Sequence, residues 1–138
     1  MKHIAYIVVA ILFCSFIYST DTVESSDPDL LIGKWKYAAA YYNGTIDTGR
    51  VEFSELYYEF RADNTCELSW KNAVDTTIYH MIGTYKMNGK RDKLTMYYGK
   101  NKPHTVHIRE LTATTLVFGD PANKKRNLPS LYSRFEKM

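Results

Sequence analysis

The chain of 138 residues is 45% hydrophobic, 14% aromatic and 24% charged, carries a net charge of +3 and has two cysteines. These values describe one small globular domain and exclude a disordered polyelectrolyte, a disulfide-stapled miniprotein and, with seven glycines, a collagen-like chain. Twelve aromatics are tyrosines, and six of them form the doublets Tyr41–Tyr42, Tyr57–Tyr58 and Tyr97–Tyr98.

The first element is an apolar run, Ile4 to Phe13, behind Lys2–His3 and ending at Tyr18–Ser19–Thr20 before Asp21. It falls short of the roughly 20 apolar residues of a spanning helix, so residues 1–20 are expected to be a secretory signal peptide cut near Ser19 or Thr20. The rival reading takes Cys14 as a lipidated cysteine behind Ile11–Leu12–Phe13, although Phe13 stands where a small residue is normal. The protein is accordingly expected outside the cell or in the periplasm, with an outer-envelope lipoprotein as the alternative. Removing the signal leaves Cys66 alone, so no intramolecular disulfide forms. Residues 21–29, rich in Asp, Glu and Ser, read as a flexible tether, and 30–138 as the domain.

From Gly33 onward hydrophobicity recurs with period two in eight short runs separated by turn residues. Gly33 to Tyr42 sets Trp35, Tyr37, Ala39 and Tyr41 against Lys34 and Lys36. Val51 to Arg61 sets Tyr58 and Phe60 against Glu59 and Arg61, and Thr65 to Lys71 sets Cys66, Leu68 and Trp70 against Glu67, Ser69 and Lys71. Thr77 to Met87 aligns Tyr79, Met81, Gly83 and Tyr85 and ends at the turn signal Asn88–Gly89. Lys93 to Tyr98, His104 to Leu111, Thr115 to Phe118 and Leu131 to Glu136 complete the set. None of the seven connections has room for a parallel crossover, so the fold is all-β, an antiparallel meander. Eight such strands gain by closing into an up-and-down barrel, which leaves no exposed edge.

Leu31–Ile32–Gly33–Lys34–Trp35 resembles the Gly-x-Trp opening of the calycin barrels, the lipocalins and their relatives. Tyr58 to Thr65, Gly83–Thr84–Tyr85–Lys86, Lys93 to Met96 and Leu111 to Val117 follow in the order and spacing of the short bacterial secreted lipocalin-like domains, from Leu31 to Phe135. The resemblance implies that Gly33 and Trp35 build the barrel floor and that a basic residue of the last strand, Arg134, packs across Trp35. Asn64, where the family often has Gly, also accepts positive φ. Fatty-acid-binding proteins are set aside because Asn43 to Arg50 is too short for their helical lid. Avidin-like barrels share the Gly-Lys-Trp opening, but Trp35 and Trp70 are too few for their ligand-contacting tryptophans.

The chemistry-bearing residues form no catalytic set, so no enzyme is expected. His104 and His107 lie three apart on a strand and face opposite sides, so they cannot chelate one metal ion. His80 reads as a surface histidine, Glu52, Glu55 and Glu59 as scattered carboxylates, and Cys66 as a small buried apolar residue. Lys90–Arg91 and Lys124–Lys125–Arg126 are solvated loops on a chain too weakly charged for nucleic acid. Asn43–Gly44–Thr45 is a glycosylation sequon. No cofactor is implied. The face expected to line the barrel is Tyr37, Tyr41, Phe60, Leu68, Trp70, Met81, Tyr85, Met96, Val106, Ile108 and Phe118, and the partner it suggests is a small hydrophobic molecule. The competing expectations are an envelope interaction or accessory protein with a packed barrel and, further off, an inhibitor built on the barrel rim.

Overall fold

The computed structural model describes residues 28–47 and 52–138. The signal-peptide reading, Cys14 and most of the tether lie outside the described residues. A single helical turn, α1 (Pro28–Leu31), leads into nine strands: β1 (Gly33–Tyr42), β2 (Thr45–Asp47), β3 (Phe53–Phe60), β4 (Thr65–Asn72), β5 (Ile78–Met87), β6 (Lys93–Tyr97), β7 (His104–Leu111), β8 (Thr115–Asp120) and β9 (Leu131–Lys137). Eight of them, β1 and β3 to β9, pair antiparallel in chain order, and β9 pairs back onto β1 to close the barrel. The expected meander barrel is therefore present. The eight expected runs do not include β2, a three-residue strand that pairs with Ala40–Tyr42 beyond the point where β1 parts from β3. All three of its residues are exposed, so it carries no hydrophobic period to be read.

One end of the barrel is a packed floor. Trp35, Phe60, Cys66, Leu94, Met96, Val106, Leu116, Phe118 and Phe135 are buried there together with Leu31 of α1. Burying such side chains yields roughly 1.5–3 kcal/mol each, which is how a domain with Cys66 as its one described cysteine holds together. The Trp35 indole N–H donates to the Leu31 carbonyl at 2.8 Å, tying α1 across the base.

The hairpins at the floor use local hydrogen bonds in place of glycine. Between β3 and β4, Asn64 takes φ 63°, and the Asp63 carboxylate accepts from the Thr65 N–H at 3.0 Å and its hydroxyl at 2.6 Å. Those two bonds hold Asp63 below the usual carboxylate range. Between β5 and β6 the Asn88 side-chain oxygen accepts from the N–H groups of Asp92 and Lys93, and Arg91, not Gly89, takes the left-handed conformation. The Asn88–Gly89 signal thus marks a wider loop than the two-residue turn such a pair favours.

Two expectations are corrected by the register. The pairing of β1 with β9 shifts between Tyr37 and Ala39, so Tyr37 sits opposite Phe135 while Tyr41 sits opposite Tyr132. Strand neighbours alternate in direction, and Phe135 points into the core, so Tyr132 and with it Tyr41 point outward. The extra residue of the bulge carries Tyr41 off the inner face on which strict alternation puts it. The second correction concerns Arg134, which faces away from the core beside Phe135 and lies 3.5 Å from the Glu136 carboxylate. The residue opposite Trp35 is Lys137. Its ammonium lies 5.1 Å from the indole centroid and donates to the Leu30 carbonyl at 3.1 Å. The cation across the floor is therefore a lysine three residues further on, on the same side of β9 as Phe135.

Candidate functional site

The inward side chains change character from floor to mouth. In the lower half the rings interlock: Phe118 stacks on Phe135 at 5.0 Å, Tyr58 stacks on Phe60 at 5.8 Å, and Tyr58 meets Phe118 and Phe135 edge-on at 5.4 Å. Tyr85 closes this layer against Phe60 and donates its hydroxyl to the Arg61 carbonyl at 2.9 Å. Tyr98 lies in the same region, where its hydroxyl meets the Cys66 thiol at 3.7 Å and the Met96 sulfur at 3.6 Å. A filled interior of this kind is what eight strands allow.

The upper half is looser. Tyr37, Leu56, Leu68, Trp70 and Met81 are all half-buried. Between them and the rim lies a cleft of about 230 Å³ lined by Glu52, Phe53, Leu56, Leu68, Trp70 and Asn72. Two ring pairs set its walls. Phe53 meets Tyr37 edge-on at 5.0 Å, and Trp70 stacks on Tyr79 at 5.2 Å with 16° between planes. The apolar lining comes from Phe53 and Leu56 of β3 and Leu68 and Trp70 of β4, with Leu56 facing Trp70, while Glu52 and Asn72 put polar groups at the rim. A broader depression of about 930 Å³ opens between the 120–130 loop, Tyr42, Thr105 and His107, where Lys124, Lys125 and Asp120 mix with Leu128 and Leu131. It is the larger of the two, but its lining alternates charge with apolar groups, whereas most of the cleft's wall is the apolar Phe53, Leu56, Leu68 and Trp70.

The structure thus divides the expected lining. Phe60, Met96, Val106 and Phe118 are floor core, and Tyr85 and Ile108 pack against it. Tyr37, Leu68, Trp70 and Met81 surround the upper half, and Tyr41 lies outside. Gly33 and Trp35 are at the floor. Phe53, Leu56 and Tyr58 are inner residues absent from the expected set. Leu56 was readable by stepping back two from Tyr58, but Phe53 was not, because the register shifts between Phe53 and Glu55. His104 pairs with Met96 and His107 with Lys93, on opposite faces of the sheet. Among the described residues no group of three His, Cys, Asp or Glu side chains is arranged to hold a metal ion.

Burial shapes the titration of the inner tyrosines. Burial pushes the Tyr58 phenol up to about 12, with Cys66 adding to the shift, and pushes Tyr98 up as well. Below pH 10 Tyr58 is neutral whether the chain is folded or not, so the stability linked to it is fully present. Between pH 10 and about 12 the unfolded chain loses the phenolic proton and the folded chain keeps it. Stability is therefore expected to fall across that window, by about 2–3 kcal/mol from Tyr58 alone. Urea unfolding at pH 9 and pH 12 checks this. Equal stabilities would mean that Tyr58 is not enclosed as described.

A barrel sealed at one end by a glycine, a tryptophan and a strapping helix, and open at the other above an aromatic cup, has the architecture of a calycin. A family profile for the lipocalin-like domain matches residues 31–118, and the chain belongs to that family. A search of curated proteins finds no match. Among solved structures the chain is similar to bovine odorant-binding protein complexed with its natural ligand, at 15% identity and a TM-score of 0.47, covering 81% of this chain and 74% of that one. It is also similar to a deswapped triple mutant of bovine odorant-binding protein, at 15% identity and a TM-score of 0.47, covering 79% and 74%. A further similar structure, odorant-binding protein from bovine nasal mucosa, gives 16% identity and a TM-score of 0.43, with 79% and 72% covered. Among the described residues no helix is long and apolar enough to cross a membrane.

Proposed function

We propose that the protein is an exported binder of a small apolar or amphipathic molecule, held in the open half of the barrel and not along its whole length. The observation behind this reading is the contrast between a floor of interlocked rings and a cleft of about 230 Å³ walled by the half-buried Phe53, Leu56, Leu68 and Trp70. An apolar cavity of roughly 150 Å³ is known to take up benzene, so the cleft suits one ring or the end of a longer chain. Glu52 and Asn72 at the rim suit a polar end left facing water. The apolar wall selects by shape and the rim selects by hydrogen bonding.

Native mass spectrometry of the purified protein, followed by organic-solvent extraction, tests the reading directly, with a stoichiometric small molecule as the expected result. Titration with an apolar naphthylamine dye gives the second arm. Trp70 lines the cleft while Trp35 is sealed in the floor, so dye binding is expected to quench the emission of one tryptophan and spare the other. Trp70→Ala is expected to weaken the dye about tenfold, equivalent to about 1.4 kcal/mol. A protein that carries nothing and leaves the dye free would sink the proposal.

A further inference from the structure

The cleft at the mouth carries charge of one sign. Among the described residues that wall it, Glu52 is the one ionic group, set beside the neutral Asn72 and four apolar side chains. Its charged neighbours point elsewhere. Glu55 accepts from the Tyr57 hydroxyl at 2.9 Å on the outer face, and Lys71, between Trp70 and Asn72, faces outward because strand neighbours alternate. Glu52 is also anchored through its backbone, where its carbonyl accepts from the Ala73 N–H at 3.1 Å and fastens the residue before β3 to the turn after β4. No described group bonds to its carboxylate. Asn72, by contrast, commits its side-chain oxygen to the turn, accepting from the N–H groups of Val74 and Asp75 at 2.7 and 3.3 Å. The acceptor that the rim offers to a guest is therefore the Glu52 carboxylate.

The aromatic wall suits the same partner. Cations are attracted to the faces of aromatic rings, and to indole most of all. Tyr79 lies against one face of the Trp70 indole and is not part of the cleft wall, so the face available to a guest is the other one. Phe53 supplies a second ring, set edge-on against Tyr37. Burial holds the Tyr37 phenol above its usual range and the Asp47 carboxylate adds to that shift, so a further carboxylate lies close behind this pair.

Resting on the reading of the cleft as the binding site, we infer that the molecule it takes is an organic ammonium ion, an amine that carries one ring or a short apolar chain. Its apolar part sits among Phe53, Leu56, Leu68 and Trp70, and its ammonium group donates to Glu52. Solvation sets this orientation. The described core holds no buried polar or charged side chain that could receive an ammonium group, so placing it deeper would strip its water without return. At the rim it keeps water on one side and makes a charge-assisted hydrogen bond on the other. A carboxylate-ended molecule of the same shape brings like charge against Glu52, and an alcohol gains a hydrogen bond without the ion pair.

Three probes of one shape separate charge from fit: phenethylammonium, phenethyl alcohol and phenylacetate, each used at neutral pH to displace the naphthylamine dye. The ammonium is expected to bind about tenfold more tightly than the alcohol, and phenylacetate more weakly than both. Added salt is expected to weaken the ammonium and leave the alcohol unchanged. Glu52→Gln is expected to bring the ammonium down to the affinity of the alcohol without moving the alcohol itself. Glu55→Gln, which removes a carboxylate facing outward, is expected to keep the full preference. A wild-type protein that binds alcohol and ammonium equally, a Glu52→Gln protein that retains the preference, or a bound dye that none of the three displaces overturns this inference and leaves the apolar cleft standing. A protein that binds neither the dye nor any of the probes overturns both.

Discussion

Trp35→Ala is expected to lower the unfolding free energy by about 4 kcal/mol, near the middle of the range for aromatic truncation in a core. Trp35 is fully buried, and it is the piece on which the floor converges. Its indole receives α1 through the Leu31 carbonyl and carries the Lys137 ammonium on its face. Truncation leaves a void in the buried core, strands the Leu31 carbonyl, and removes the ring that Lys137 covers. Trp35→Phe separates these contributions. It keeps most of the volume and loses the N–H, so a cost of about 1–2 kcal/mol is expected. Urea denaturation followed by circular dichroism gives both numbers. A Trp35→Ala protein within 1 kcal/mol of wild type would show that the floor is not what holds the ends of the barrel together.

Gly83→Ala is expected to cost about 3 kcal/mol, at the upper end of what overpacking usually does. A methyl group there would run into the Tyr97 carbonyl and the Tyr98 ring. The carbonyl belongs to the strand facing β5, so nothing can swing aside without parting β5 from β6 at the last rung of their pairing. Gly44→Ala is the useful contrast. Nothing lies within 4 Å of a Cβ at Gly44, but its φ of +82° is unfavourable for alanine, and a cost of about 1 kcal/mol is expected from the backbone alone. A Gly83→Ala protein as mild as Gly44→Ala would mean that the β5–β6 seam is slack.

How far such sites could be anticipated depended on which signal survived. Cys66, Leu68 and Trp70 alternate with Glu67, Ser69 and Lys71 without interruption, and β4 lies where that alternation puts it. β1 has the same alternation at its start, but the shift after Tyr37 consumes a residue, so parity counted forward from Trp35 fails at Tyr41. A bulge has no required residue here, and three consecutive alanines give no sign of which one is extra. Arg134 is a different kind of miss. Counting by two from Phe135 reaches Lys137, and the resemblance to a family pattern outweighed that local parity. The cleft was legible only as a set of inward residues. How much space they leave depends on how far rings from β1, β3, β8 and β9 reach across the axis, and no single strand encodes that distance.

The closure of the barrel has a consequence for how the chain acquires its structure. β1, the first strand, is completed by β9, the last, and the Lys137–Leu30 hydrogen bond that fastens the floor spans 107 residues of sequence. Contacts so distant in sequence slow folding, because the loop they close must be ordered before they form. Each hairpin from β3 to β8 is local and needs no distant partner, yet none of them supplies the ring with its final wall. Until Leu131 to Lys137 has been synthesised, β1 and β8 remain two open edges, and a chain caught at that stage has its greatest exposure to pairing with the wrong strand.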